Sequence, residues 1–349
     1  MSGQSQNEVL ELAAQETQPP NPANLGAGAP AKDPSFRADS WVWLNGKLRL
    51  HGESLTAVSA HGLHYGTGVF EGVRCYDTTD GPALFRMREH LDRFFASAAV
   101  YGIPVPYTAD ELLEATCEVI VKNGFLSCYV RPLCYLGTNS LGISSACPSE
   151  VAVLAVPDLS NSTKSLKASG IRAMTSSWIK FDRRMMPTTA KACGQYLNSV
   201  LASREAAARG FDEAILLNVD GNVAEATVAN IFIVENGILR TNDESSSILP
   251  GITRDSVMQL ARSLGYEVQI GLLRPEDLRR AEELFLTGTA REVVPVRELD
   301  GKAIGAGTRG PLTEKIQGAF DSVTHGHDPR FRHWLHRLKP QEYLRENNS

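Results

Sequence analysis

With 349 residues, a formal net charge of -5 and an isoelectric point near 5.9, the chain carries no basic footprint for nucleic acid. Its 42% hydrophobic and 21% charged residues are those of an ordinary globular protein, and its length suits about two domains. No apolar run is long enough to cross a bilayer, so no membrane partner is expected.

Residues 1–37 are rich in Pro, Ala and Gly ("TQPPNPANLGAGAPAKDPS") and bury too little surface to order themselves, so they read as a disordered extension. Glu8, Glu11 and Glu16 exclude an acid-poor transit peptide. An α+β domain is expected over 38–157. It opens on "WVWLNGKLRL", where Asn45-Gly46 favours a tight hairpin. Helical periodicity follows in "MREHLDRFFASAAVYG" and in "DELLEATCEVIVKNG", which ends at Gly124 as a C-cap. "CYVRPLCYLG" and "EVAVLAVP" read as strands.

The polar, aperiodic run from Asp158 predicts an interdomain linker over 158–166. A larger domain is expected over 167–337, with a tail at 338–349. Its helices are expected in "YLNSVLASREAAARG", "TRDSVMQLARSLG", "PEDLRRA" and "LTEKIQGAFDSV". Turn dipeptides at Asp220-Gly221, Asn236-Gly237 and Asp300-Gly301 punctuate short strands, which predicts a mixed sheet without regular βαβ alternation. The six cysteines show no CxxC or His-Cys spacing, so no metal site is expected. They read as free thiols of a reducing compartment, and the chain as cytoplasmic.

One lysine stands out. In "PTTAKACGQYLNSV", Lys191 lies among small residues with Tyr196 five positions on. Held against small side chains, a lysine is desolvated and its amine freed for carbonyl chemistry; held in water, it is an ordinary surface charge. The stretch itself leaves both open. Pro250-Gly251 precedes a helix whose first amides, at Ile252 and Thr253, could face an anion, or could simply follow a capping turn. Thr287-Gly288-Thr289-Ala290 offers a second turn of amides and hydroxyls, or an ordinary strand end. Glu225 sits in an otherwise small or apolar run, where burial would require a cationic or protonated partner and an exposed edge would not. Arg93 lies on a helix and is solvent-exposed by default. A carbonyl-reactive lysine, an isolated carboxylate, a tyrosine and two phosphate-type turns match the requirements of pyridoxal 5′-phosphate.

The motifs "LHYGTGVFEGVRCYD", "FRMREHLDRFFASA", "YVRPL", "PTTAKACGQYLNS", "LPGITRD" and "TGTAREVVPVR" occur in the order and spacing of one family. From about Trp41 to Trp334 the chain resembles the fold-type IV, or class IV, pyridoxal-phosphate-dependent aminotransferases, and specifically the bacterial branched-chain-amino-acid aminotransferases. The resemblance implies a homodimeric two-domain α/β fold of the α+β type, with a small N-terminal domain and a larger, barrel-like mixed-sheet domain. It implies that Lys191 carries the cofactor, that Tyr196 meets its phenolic oxygen and that Glu225 faces its pyridine nitrogen. Arg93, the amides of Ile252 and Thr253, and Thr289 would hold the phosphate. Tyr65, Phe70, Gly72, Arg74, Tyr129 and Arg131 would wall the substrate pocket, with Thr289-Ala290 at the α-carboxylate.

The implied reaction moves an amino group between an amino acid, a branched-chain L-amino acid in the first instance, and 2-oxoglutarate. A D-amino-acid or (R)-amine aminotransferase, a lyase acting on an aminated chorismate and a non-catalytic cofactor-binding protein are the alternatives. Two departures bear on the amino donor. "EATVAN" places Ala229 where a second acid is usual, and "VPDLSNSTK" lacks the aromatic residues common at that pocket edge.

Overall fold

In the computed structural model, which describes residues 37–157 and 160–339, three of the four turn dipeptides close two-residue hairpins. Asn45-Gly46, Asn236-Gly237 and Asp300-Gly301 all take positive φ at both positions, which matches the right-handed twist of the flanking strands. Asp220-Gly221 differs. It lies in a five-residue loop between Leu217 and Val223, and only Gly221 is left-handed. The cause is Asn218, whose side-chain oxygen accepts from the amides of Asp220 and Asn222 and widens the turn.

The first sheet contains β1 (Trp41–Leu44), β2 (Lys47–Leu50), β3 (Gly68–Phe70), β4 (Val73–Thr78), β5 (Gly81–Phe85), β6 (Cys128–Leu136) and β7 (Ser149–Pro157). Three helices accompany it: α1 (His61–Tyr65), α2 (Met87–Val100) and α3 (Ala109–Lys122). The last begins in a capping box between Thr108 and Glu111 and ends before Gly124, which takes φ +69°. Alternation along β4 and β6 turns Val73, Cys75, Cys128 and Val130 onto the core that α2 and α3 cover. The opposite face carries Arg74, Tyr76, Tyr129 and Arg131.

The run expected to be a linker is helical over Ser160–Ser169 (α4). Its composition hid this, but Leu166 packs into the second core, and Gly170 takes φ +77° and donates to the Leu166 carbonyl. Beyond it, β8 (Ile171–Thr175), α5 (Tyr196–Ala208), β9 (Glu213–Leu217), β10 (Val223–Ala226), β11 (Asn230–Glu235) and β12 (Ile238–Thr241) follow. Then come α6 (Ile252–Ser263), β13 (Val268–Ile270), α7 (Pro275–Arg280), β14 (Glu283–Gly288), β15 (Glu292–Leu299), β16 (Lys302–Ala303), α8 (Pro311–Thr324) and β17 (Leu335–Arg337).

The second sheet runs β10-β9-β8-β15-β14-β11-β12-β13, with β16 on β15. It is mixed: β8 pairs parallel with β9 and β15, and β12 with β13, while the other pairs are antiparallel. The chain finally returns to the first sheet, where β17 pairs with β5. Most of the expected N-terminal extension and C-terminal tail lies outside the described residues. The described cysteines are free thiols, and all but Cys193 are buried.

Candidate active site

Lys191 sits where the two halves of the molecule touch. Its backbone N–H donates to Ser97 Oγ on α2 at 3.0 Å, and its carbonyl accepts from the Phe70 amide at 3.1 Å. Ala192 forms a β-bridge with Val69. The small neighbours allow a close backbone approach. Gly66, at φ +66°, lies so near the Lys191 segment that a Cβ there would fall 2.7 Å from Gly194 Cα.

The side chain turns into a cleft. Nζ donates to the Tyr196 hydroxyl at 2.7 Å and lies 5.2 Å from the Phe70 ring centroid. Burial, reinforced by the positive charge of Arg93, lowers the ammonium pKa from 10.5 to about 8. Burial also raises the Tyr196 phenol above its ordinary value, so it remains a protonated hydroxyl.

Arg93 is aimed from α2 by a carboxylate outside the expected set. Its Nε and Nη2 donate to the two oxygens of Glu71 at 2.6 and 2.9 Å, and Nη1 donates to the Pro250 carbonyl at 2.8 Å. His90, one turn earlier on the same helix face, meets Glu71 Oε2 at 2.7 Å. Burial opposes the charge of Glu71, yet Arg93 and His90 hold its pKa far below the usual carboxylate range. His90 is itself pushed down by burial.

Pro250 and Gly251 lead into α6, whose first amides have no intrahelical carbonyl to meet. Glycine leaves room here for the Asn230 amide, because a Cβ at 251 would lie 2.0 Å from Asn230 Oδ1 and displace it. Arg86 donates to the Ile252 carbonyl and to Ser256 Oγ, which ties α2 to the start of α6. The guanidinium of Arg93 and the free amides of Ile252 and Thr253 thus stand side by side.

Glu225 is buried at 6% exposure on β10. Oε1 pairs with Lys180 Nζ at 2.8 Å, and Oε2 accepts from Asn230 Nδ2 and from the Leu249 amide, each at 3.1 Å. Arg93, Lys191, Tyr196, Glu225, Ile252, Thr253 and Thr289 all line one cleft of about 610 Å³, its mouth included. Thr287 also lines it, and its buried hydroxyl has no hydrogen-bond partner among the described residues. An amine, a buried carboxylate, a cation beside free helix amides and an unmet hydroxyl fit pyridoxal phosphate, which requires those functions together.

The expected substrate residues separate into two groups. The Phe70 ring packs tilted against the Tyr196 ring, with centroids 4.7 Å apart, and the Arg131 guanidinium lies 4.5 Å over Phe70. Arg131 also donates to the Tyr129 hydroxyl at 3.0 Å. Gly72 admits that hydroxyl, since a Cβ there would sit 2.0 Å from it. Arg131 Nε is buried without a hydrogen bond among the described residues.

Arg74, Tyr65 and Ala290 are not brought to this cleft. Arg74 pairs with Glu292 of β15 at 2.9 Å and stacks over Tyr76, so its charge joins the two sheets. Tyr65 is 43% exposed and donates to the Leu141 carbonyl, and Ala290 is exposed beside Thr289.

Glu71, His90, Ser97, Lys180 and Asn230 are the site residues that sequence reasoning missed. Glu71 carries the same signal as Glu225, a lone carboxylate in the small or apolar run "GVFEGVR". His90 and Arg93, three apart on one helix, supply its partners. Lys180 offers no local signal, because it reaches Glu225 only through the irregular path of 176–190.

The fold is that of the fold-type IV pyridoxal-phosphate enzymes. The sequence profile described as "Amino-transferase class IV" matches residues 68–299. A branched-chain-amino-acid aminotransferase of Escherichia coli (strain K12) is 42% identical over 297 residues, spanning 84% of this chain and 96% of that protein. One of Pseudomonas aeruginosa is 39% identical, over 85% and 96%. The crystal structure of the Escherichia coli enzyme superposes with a TM-score of 0.84 at 41% identity, covering 86% of this chain and all of that one. The branched-chain aminotransferase of the thermophilic archaeon Thermoproteus uzoniensis, solved with norvaline, gives 0.82 at 39% identity, over 86% and 99%. The chain therefore belongs to the class IV aminotransferases.

Breaking the Glu71–Arg93 pair has a defined cost. Glu71→Ala should lower the unfolding free energy of the cofactor-free protein by about 3–5 kcal/mol, because it strands a buried guanidinium. Glu71→Gln, which keeps hydrogen-bonding capacity, should cost less. Because the folded pKa of Glu71 is depressed, its stabilisation is complete above the ordinary value of 4.5 and is lost as pH falls towards the folded value. Urea midpoints should therefore drop more steeply on acidification in the unmodified protein than in Glu71→Gln. Equal slopes would refute the assignment.

Proposed function

We propose that this chain transfers an amino group between a branched-chain L-amino acid and 2-oxoglutarate, with Lys191 as the catalytic residue. The observation that carries this reading is the desolvated Lys191 amine, 2.7 Å from Tyr196, in the same cleft as Glu225 and the Arg93 guanidinium. The relatives, named as branched-chain enzymes, supply the amino-donor class.

When bound, pyridoxal phosphate supplies an electrophilic carbonyl for the amino group and a conjugated ring that takes up electron density as the substrate Cα–H bond breaks. Arg93, the amides of Ile252 and Thr253, and Thr289 would hold the phosphate. Tyr196 would donate its hydroxyl hydrogen to the phenolic oxygen, and Glu225 would accept from the ring nitrogen. Lys191 Nζ would take the substrate Cα proton as general base and, as the ammonium so formed, would deliver that same proton as general acid in the following step. An amine with a pKa near 8 suits both halves of that task at neutral pH.

The wall of Phe70, Tyr129 and Arg131 sorts the two substrates. The Phe70 ring offers an apolar surface to a branched side chain. Arg131, which has no carboxylate salt bridge among the described residues, offers its charge to the second carboxylate of 2-oxoglutarate or glutamate.

We further propose that the protein is a homodimer of the cytoplasm, each subunit divided into a small domain around the first sheet and a large domain around the second. Leu55 and Leu63 border an apolar groove on the first sheet, and Val58, Leu141 and Ile143 are also exposed on the same half of the chain. Surface of this kind favours burial against a second copy. No helix among the described residues is long and apolar enough to cross a membrane.

Two experiments test the reading. Borohydride reduction of the purified holoenzyme should fix the cofactor on Lys191, and that enzyme should consume L-leucine, L-valine and L-isoleucine. Turnover of only D-amino acids or (R)-amines would overturn the donor assignment, and an adduct on Lys180 or Lys122 would overturn the site. In Arg131→Ala, kcat/KM should fall about tenfold or more for L-glutamate, a loss of the size expected when one charge-assisted partner is removed, and less for L-leucine. A uniform loss would mean that Arg131 supports the fold and does not select the substrate.

A further inference from the structure

Lys180 is a buried cation that the reaction as described leaves without a task. Its side chain is 10% exposed, its backbone N–H donates to the Leu217 carbonyl at 2.7 Å, and its Nζ lies 4.6 Å over the Phe181 ring. It lines the same cleft as Lys191. Its ionic partner is Glu225, whose Oε1 it meets at 2.8 Å. The other oxygen of Glu225 receives neutral donors, Asn230 Nδ2 and the Leu249 amide.

The consequence follows from Coulomb's law. A carboxylate and a pyridine nitrogen that share one proton are two bases competing for it, and in a poorly solvated site the neutral pair, with the proton on the carboxyl, competes strongly. A fixed cation attracts the charged carboxylate beside it more strongly than it repels a proton on the more distant nitrogen. The proton is then driven onto the ring, where it strengthens electron withdrawal.

We infer that Lys180 is a positioning residue for the reaction: by pairing with Glu225 it keeps that carboxylate ionised and holds the shared proton on the cofactor's ring nitrogen. The inference rests on the reading that Glu225 faces that nitrogen. In this role Lys180 needs no contact with substrate or reacting atom. It acts through Glu225, as the clamp on one oxygen while Asn230 and Leu249 fix the other. A role in packing alone would require the stem of Lys180 but not its charge.

The test is the ring-nitrogen resonance of holoenzyme reconstituted with ¹⁵N-labelled cofactor, compared in the unmodified protein, Lys180→Met, Lys180→Gln and Lys180→Arg. Both neutral variants should keep the cofactor on Lys191 under borohydride. Both should move the resonance downfield, towards unprotonated pyridine, and slow the half-reaction with L-leucine about tenfold or more, the scale of one general acid–base or ion-pair contribution. Lys180→Arg, which preserves the charge, should keep the resonance of the unmodified enzyme. Should Lys180→Met fail to fold, Lys180→Gln, which retains polarity and length, gives the same reading. An unmoved resonance in a neutral variant that retains cofactor overturns the inference. So does an equal downfield shift in Lys180→Arg. Glu225→Gln separates this failure from failure of the underlying reading: if it too leaves the resonance unmoved, Glu225 does not face the ring.

Discussion

A lysine ammonium held out of water is unstable unless its surroundings offset the loss of hydration, and at Lys191 the surroundings fall short. Arg93 and Arg131 add positive potential, while Glu71 and Glu225 return part of it, leaving a pKa near 8. The balance depends on where the backbone is fixed. The Phe70 amide and Ser97 Oγ grip the Lys191 peptide from the first sheet and from α2, and the bridge between Val69 and Ala192 extends that grip. Small side chains at Gly66 and Gly194 make the grip possible, because a Cβ at Gly66 would strike the opposing backbone.

From that contact outward, each half of the molecule delivers one part of the chemistry. The first sheet and α2 bring Arg93, Phe70, Tyr129 and Arg131, with Glu71 as the buried counter-charge. The second sheet and α6 bring Glu225, the free helix amides and Thr289. Ionic ties keep the halves in register away from the cleft. Arg74 of β4 meets Glu292 of β15, which also pairs with Lys167 of α4, and Arg86, just before α2, pairs with Asp255 of α6. Glu292 takes φ +59°, a left-handed conformation that a non-glycine residue adopts at some energetic cost. The ions it gathers are a physical reason for that conformation to persist.

Much of this was legible in the residues, for reasons that can be stated. Asn-Gly and Asp-Gly turns encode backbone twist locally, and the capping box at Thr108 and Glu111 encodes a helix start within four residues. Lys191, Tyr196 and Glu225 were visible because each is an unusual chemical group among small or apolar neighbours. The misses have a shared cause, which is long range. α4 is polar and shows itself only through the packing of Leu166, and β17 joins a strand some 250 residues earlier. Lys180 meets Glu225 across an irregular segment, and Arg74 is held by a glutamate more than 200 positions on. No window of sequence contains either pair. Glu71 is the exception, since the run "GVFEGVR" carries the same lone-carboxylate signal as the run around Glu225.

The site depends on the charge state of Lys191 in the protein's own electrostatic field. Competitive acetylation of the cofactor-free protein between about pH 6 and 11, quantified at Lys191 by mass spectrometry, reports the pH at which that amine loses its proton. A midpoint near 8 is the result expected from the buried, Arg93-flanked amine. A midpoint at the ordinary lysine value of 10.5 would show that Lys191 is hydrated, and would contradict the arrangement on which the rest of the site is built.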